Sequence, residues 1–119
     1  MSQKYNPESP RLAFKSDAKP NFQLGENVSV RLGNKWMSHY VEREYKPFEA
    51  VALDKDGDPV KAVIVKRVMY IPLNLLSAAA LKKQPVGVPT TIDGLIEHLE
   101  RVYERKVQRD ELVSVLFFE

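Results

Sequence analysis

Leu112-Val-Ser-Val-Leu-Phe-Phe118 is the stretch on which the fold turns. Side chains of a strand alternate between its two faces, yet here both faces are apolar, Ser114 excepted. A strand apolar on both sides needs cover on both sides. It is expected to lie at the centre of a sheet, although it follows two helical segments in the chain. A closing strand that returns between earlier ones implies a curled sheet. The expected fold class is α+β, a small β-barrel or strongly curved mixed sheet with two helices.

The preceding segments fit that frame. Apolar residues at 92, 95, 96, 99, 102 and 103 fall on one helical face, so the pattern predicts a helix from Ile92 to Arg105, capped by Thr91, with Glu97 and Arg101 paired outside. A shorter helix, Leu75 to Lys83, is expected behind Asn74, followed by the proline-bearing loop Gln84–Pro89. Phe48–Leu53 and Val60–Val65 flank Asp54-Lys-Asp-Gly-Asp58, a β-hairpin signature because Gly takes positive φ cheaply. The second strand is expected to run on to Ile71 with a bend or bulge at Lys66-Arg67, ended by Pro72. Arg11–Lys15 reads as a first short strand broken over Ser16–Pro20, and residues 1–9 as a loose arm before one domain spanning 10–119.

Composition bounds the function. The chain has 119 residues, 44% hydrophobic and 29% charged, as in an ordinary globular domain. No apolar run is long enough to span a bilayer, and no signal peptide is evident, so no membrane partner is expected. With no cysteine there is no disulfide, thiolate nucleophile or cysteine-ligated metal, and the expected location is the cytoplasm. The net charge of +2 is uneven: residues 1–46 carry +3 and residues 47–119 carry −1. A basic front half fits a polyanionic partner.

That front half holds the candidate site. In Leu24-Gly-Glu-Asn-Val-Ser-Val-Arg-Leu-Gly33, Val28, Val30 and Leu32 share one face, and Asn27, Ser29 and Arg31 the other. An aromatic and basic stretch follows, read as a short helix or an irregular loop: Lys35, Trp36, His39, Tyr40, Arg43, Tyr45 and Lys46. Aromatic rings stack on unpaired bases while Lys and Arg neutralise phosphates. The expected nucleic-acid-binding set is therefore Asn27, Ser29, Arg31, Lys35, Trp36, His39, Tyr40 and Arg43. The competing reading makes Trp36 and Tyr40 core anchors. The Asp54/Asp56/Asp58 cluster lacks the glycine and glutamate spacing of a calcium loop and reads as a turn. His39 and His98 do not form a ligand set, and no phosphate-binding glycine loop or nucleophile elbow is present. No metal, cofactor or catalytic residue is expected.

The arrangement resembles the ASCH domains of the PUA-like superfamily of small β-barrels. Glu26-Asn-Val-Ser-Val-Arg31 is similar to the family's cleft strand of Lys-x-x-Thr-x-Arg type. Val63-Ile-Val-Lys-Arg-Val68 is similar to the strand before its variable helices, and Leu95–Tyr103 with Leu112–Phe118 to its helix-Tyr-strand finish. The resemblance implies an RNA-related role, and for some small members an amidohydrolase activity on N4-acetylcytidine using a Lys, a Thr and a Glu. Here Ser29 stands at the Thr position and Glu26 at the Lys position, and Gln84–Pro89 offers no Glu. The resemblance, with these departures, implies a non-catalytic module binding RNA or single-stranded nucleic acid. A nucleoside-acting enzyme using Ser29 with Glu42, Glu44 or Glu49 is the alternative from another class, and a protein-interaction or inhibitor domain is the third reading.

Overall fold

The computed structural model describes residues 5–15 and 20–119. The start of the expected arm and the break over 16–19 lie outside the described residues. Five strands form one sheet: β1 (Arg11–Ala13), β2 (Asn27–Leu32), β3 (Phe48–Leu53), β4 (Pro59–Pro72) and β5 (Leu112–Phe118). Their spatial order is β1-β3-β4-β5-β2, with β1 parallel to β3 and the other neighbours antiparallel. Three helices accompany them: α1 (Lys35–Glu42), α2 (Ala78–Lys82) and α3 (Ile92–Tyr103). This is the expected α+β curved mixed sheet, and α1 settles the segment read as helix or loop.

The closing strand does what its composition demands. β5 pairs with β4 on one side and β2 on the other. Its Val113, Val115 and Phe117 join a core with Val28, Val30, Leu73, Leu81, Leu95 and Leu99 beneath α2 and α3. Its Leu116 and Phe118 join a second core with Leu12, Phe14, Trp36, Phe48 and Val65 on the opposite face. Ser114 is fully buried, and its hydroxyl donates to Gly33 O at 2.7 Å, which satisfies the one polar group in the strand.

The long strand β4 connects the two halves of the sheet. It pairs with β3 up to Val65 and with β5 from Val65 to Pro72, with a register shift between Val65 and Arg67, where the charged pair predicts a bulge. One expected helix is corrected. Asn74 does not cap it: Asn74 lies in a 3₁₀ turn, Leu73–Leu75, and its N–H donates to Arg109 O at 2.9 Å. The helix begins later, at Ala78, where Ser77 Oγ accepts the Ala80 N–H at 3.1 Å. Thr91 caps α3 as expected, but the helix stops at Tyr103 because Glu104 takes a left-handed backbone, φ 55°.

The sheet curls until its outer strands nearly meet. Arg31, on β2, donates through its guanidinium to Ala13 O at the end of β1. One side chain thus spans the seam of the half-barrel.

Candidate functional site

Asn27 to Val30 of β2 are buried and Arg31 and Leu32 half-buried; of the three residues expected to line a cleft, Ser29 and Arg31 reach one and Asn27 does not. Asn27 is 2% exposed and Ser29 6%. Asn27 braces the turn entering the strand: its Oδ1 accepts the Gln23 N–H at 2.8 Å, and its Nδ2 donates to Gln23 O and Gly25 O. Gly25 there adopts φ 84°, a conformation that favours glycine. The role of Asn27 is therefore to aim the strand.

Ser29 and Arg31 enter a small cleft between β2, the residues after β1, and α3. Phe14, Lys15, Ser29, Arg31, His98 and Tyr103 are among the residues lining it, and it offers about 50 Å³ of accessible space. The Arg31 Nε donates to Ser29 Oγ at 2.9 Å, and its Cζ lies 4.7 Å from the Phe14 ring centroid. Loss of hydration in this position pushes the guanidinium down to about 10, which leaves it charged at neutral pH. Among the described residues no carboxylate pairs with it. The half-buried guanidinium is held instead by neutral groups, Ser29 Oγ, Ala13 O and the Phe14 ring.

The rest of the expected set sits on and after α1, and none of it lines the cleft. Trp36 is 5% exposed and stacks on Phe48 at 6.4 Å and 11°, as the core-anchor reading has it. His39 packs 5.3 Å from the Trp36 ring. Burial, followed by the positive charges of Arg43 and Lys35, pushes its imidazole below the ordinary range. Arg43 lies 4.8 Å over Phe48 and donates to His39 O at 3.0 Å. Tyr40 is half-buried and meets Tyr45 edge-on at 5.6 Å, and Lys35 is exposed.

Lys15, Gln84, His98 and Tyr103 line the cleft and are absent from the sequence-derived set. They come from three separate segments, so no local pattern unites them. The one available signal was Tyr103 in the helix-Tyr-strand ending.

Carboxylates are placed elsewhere. Glu42, Glu44 and Glu49 do not line the cleft; Glu49 accepts from Ser9 Oγ at 2.9 Å, and Glu44 pairs with Lys46 at 3.7 Å. Glu26 pairs with Lys83 at 3.0 Å and Lys66 at 3.7 Å, and the Lys83 hydrogen bond holds its carboxyl below the usual range. Asp54 Oδ1 accepts the N–H groups of Asp56 and Asp58, bracing the hairpin turn. Among the described residues no helix is long and apolar enough to cross a membrane.

The fold is similar to that in the crystal structure of protein EF3133 from Enterococcus faecalis V583, described as belonging to family DUF984. The TM-score is 0.52 and the identity 17%, over 78% of this chain and 59% of that one. At that identity the likeness is one of fold, and this chain spans about 59% of the other's length. No family model matches the chain, and no curated protein does either.

Proposed function

We propose that this chain is a non-catalytic binding module of PUA-like type for RNA or other single-stranded nucleic acid, which it takes at the cleft between β2 and α3. The observation that carries the reading is Arg31: a charged guanidinium, largely out of water, fixed by Ser29 and Ala13, and without a carboxylate partner among the described residues. Such a group stabilises an oxygen-rich ligand by charge-assisted hydrogen bonds. Exposed Lys15 lines the same cleft and adds attraction to a phosphate backbone. Among the described residues lining the cleft there is no carboxylate, which favours binding over the Lys, Thr and Glu chemistry of the resembled hydrolases.

The test is anisotropy of a labelled single-stranded RNA at two salt concentrations. Binding that weakens steeply with salt and is reduced in Arg31→Ala supports the reading. Equal affinity in Arg31→Ala overturns it.

One observation favours the protein-interaction reading instead. Asn34, Met37, Val41 and Tyr70 line an open groove of about 380 Å³ beside α1, with Val41 and Tyr70 exposed. A partner bound there would show weak salt dependence and no response to Arg31.

A further inference from the structure

β4 outruns both of its neighbours, and part of its edge meets no strand of the sheet. β3 pairs with it only as far as Val65, while β5 runs beside it to Pro72. The pairing fixes which main-chain groups face the open side. The Leu73 N–H donates to Glu111 O at 2.8 Å, so the hydrogen-bonded pairs of the ladder are 73 with 111, 71 with 113 and 69 with 115. Tyr70 and Pro72 fall between them, so the Tyr70 N–H and C=O and the Pro72 C=O point away from β5. The same alternation, carried across β5, points the N–H groups of Val28 and Leu32 off β2, where they meet Lys83 O and the Tyr103 hydroxyl. Val68 has the same outward parity but is buried, so the accessible edge starts at Tyr70.

The chain itself vacates this row. Pro47, just before β3, has no N–H with which to extend the ladder. Glu44 and Tyr45 take left-handed backbones, φ 57° and 62°, uncommon for residues other than glycine, and the Lys46 N–H turns back to Arg43 O at 3.2 Å. Beside the vacated row stands α1. Met37, Val41 and Tyr70 form the apolar part of the groove there, with Asn34, Ser38 and Glu42 as its polar lining. Glu42 is the one charged side chain among these residues.

We infer that this groove takes an extended peptide segment of a partner protein, added to β4 as a short strand against Tyr70 and Pro72. Tyr70 opposes Ser114, which shares a sheet face with Leu116 and so with the core beneath α1. A peptide residue opposite Tyr70 shares that face too, and its side chain lies against α1, as does that of the residue two along. The segment that fits has two apolar residues separated by one of any kind, covering Met37 and Val41, with a Lys or Arg beside them for Glu42. A helical partner would leave the Tyr70 and Pro72 groups unmet, and Glu42 disfavours a phosphate backbone. This rests on the protein-interaction reading of the groove and is independent of what the cleft binds.

The experiment is a selection of phage-displayed heptapeptides on the full chain, followed by synthesis of the strongest binder. The expected peptide carries apolar residues two apart and a Lys or Arg. Its main-chain nitrogens are then methylated one at a time, which keeps every side chain. Affinity should fall at least about tenfold at two residues spaced by two, and little at the residue between. Val41→Asp, at an exposed position, should weaken binding by a similar factor, and Glu42→Lys should turn the preference to peptides bearing Asp or Glu. Circular dichroism checks that both variants fold; if Val41→Asp does not, Glu42→Lys and the methylated peptides decide. A peptide that needs Val41 and Glu42 but tolerates every methylation overturns the added strand and keeps the groove as a protein surface. Absence of any enriched peptide, or binding indifferent to both substitutions, overturns the groove as well. Labelled RNA measured on the same variants should bind unchanged, which separates these outcomes from failure at the cleft.

Discussion

Arg31 packs its guanidinium carbon 4.7 Å from the ring centroid of Phe14, although the two residues belong to opposite edges of the sheet. Together with the hydrogen bond to Ala13 O, this makes one residue both the closure of the half-barrel and the charged lining of its cleft. A substitution at this position is therefore expected to act on stability and on the proposed binding together.

Arg31→Ala should lower unfolding free energy by about 1–3 kcal/mol, because Ala13 O loses its partner and the Phe14 ring loses its cover. The domain should still fold. Urea melts followed by circular dichroism measure the first effect, and RNA anisotropy on the folded variant measures the second. Arg31→Lys should recover part of the binding but little of the closure, since an ammonium lacks the planar fork.

Trp36→Phe should destabilise the domain by about 1–3 kcal/mol through lost packing against Phe48. It should leave RNA affinity unchanged, since Trp36 belongs to the core and not to the cleft. A matching loss of affinity in the folded variant would move the ligand to α1.

His39 supplies the expected pH response. Burial, Arg43 and Lys35 all disfavour its charged form in the folded state. The unfolded chain then binds that proton more tightly, so stability should fall as pH drops through the imidazole range and be fully regained above it. His39→Gln should flatten the loss between about pH 7 and pH 5. Chemical denaturation at both pH values compares the two slopes.

Glu26→Lys places a Lys where the strand of the resembled ASCH domains has one. It should not create hydrolysis of N4-acetylcytidine, because Glu26 pairs with Lys83 and Lys66 and does not line the cleft. The cost in stability should exceed the about 1 kcal/mol of a single exposed pair, because the half-buried Glu26 loses two partners and the new ammonium faces Lys83 and Lys66. Acetate release, measured against the parent chain, checks the first point.

Much of the fold was legible because its signals are local. Asp56-Gly57 fixes the hairpin, Thr91 starts α3, and the two apolar faces of Leu112–Phe118 place β5 in the middle of the sheet. The start of α2 was not legible, since the Asn74 backbone is held by Arg109, a residue far along the chain. The cleft was half legible. Ser29 and Arg31 follow from strand alternation, but alternation says nothing about what covers the polar face. Lys15, Gln84, His98 and Tyr103 reach the cleft only through the curl of the sheet, which brings distant segments together. The aromatic stretch after Gly33 was ambiguous for the same reason: its spacing suits both an exposed platform and a core helix, and for Trp36 the packing against Phe48 decides between them.

Among the described residues β5 is the one strand that pairs with β2, and Ser114 reaches back 81 residues to Gly33. During synthesis β2 is complete before β5, the strand it pairs with, has been made, with α1, β3, β4, α2 and α3 lying between them. Its alternating valines stay open to solvent and to other chains throughout that interval. The domain is thus expected to fold late and slowly for its size, because its long-range pairings form last, and nascent chains stalled before Leu112 should be the species that chaperones hold.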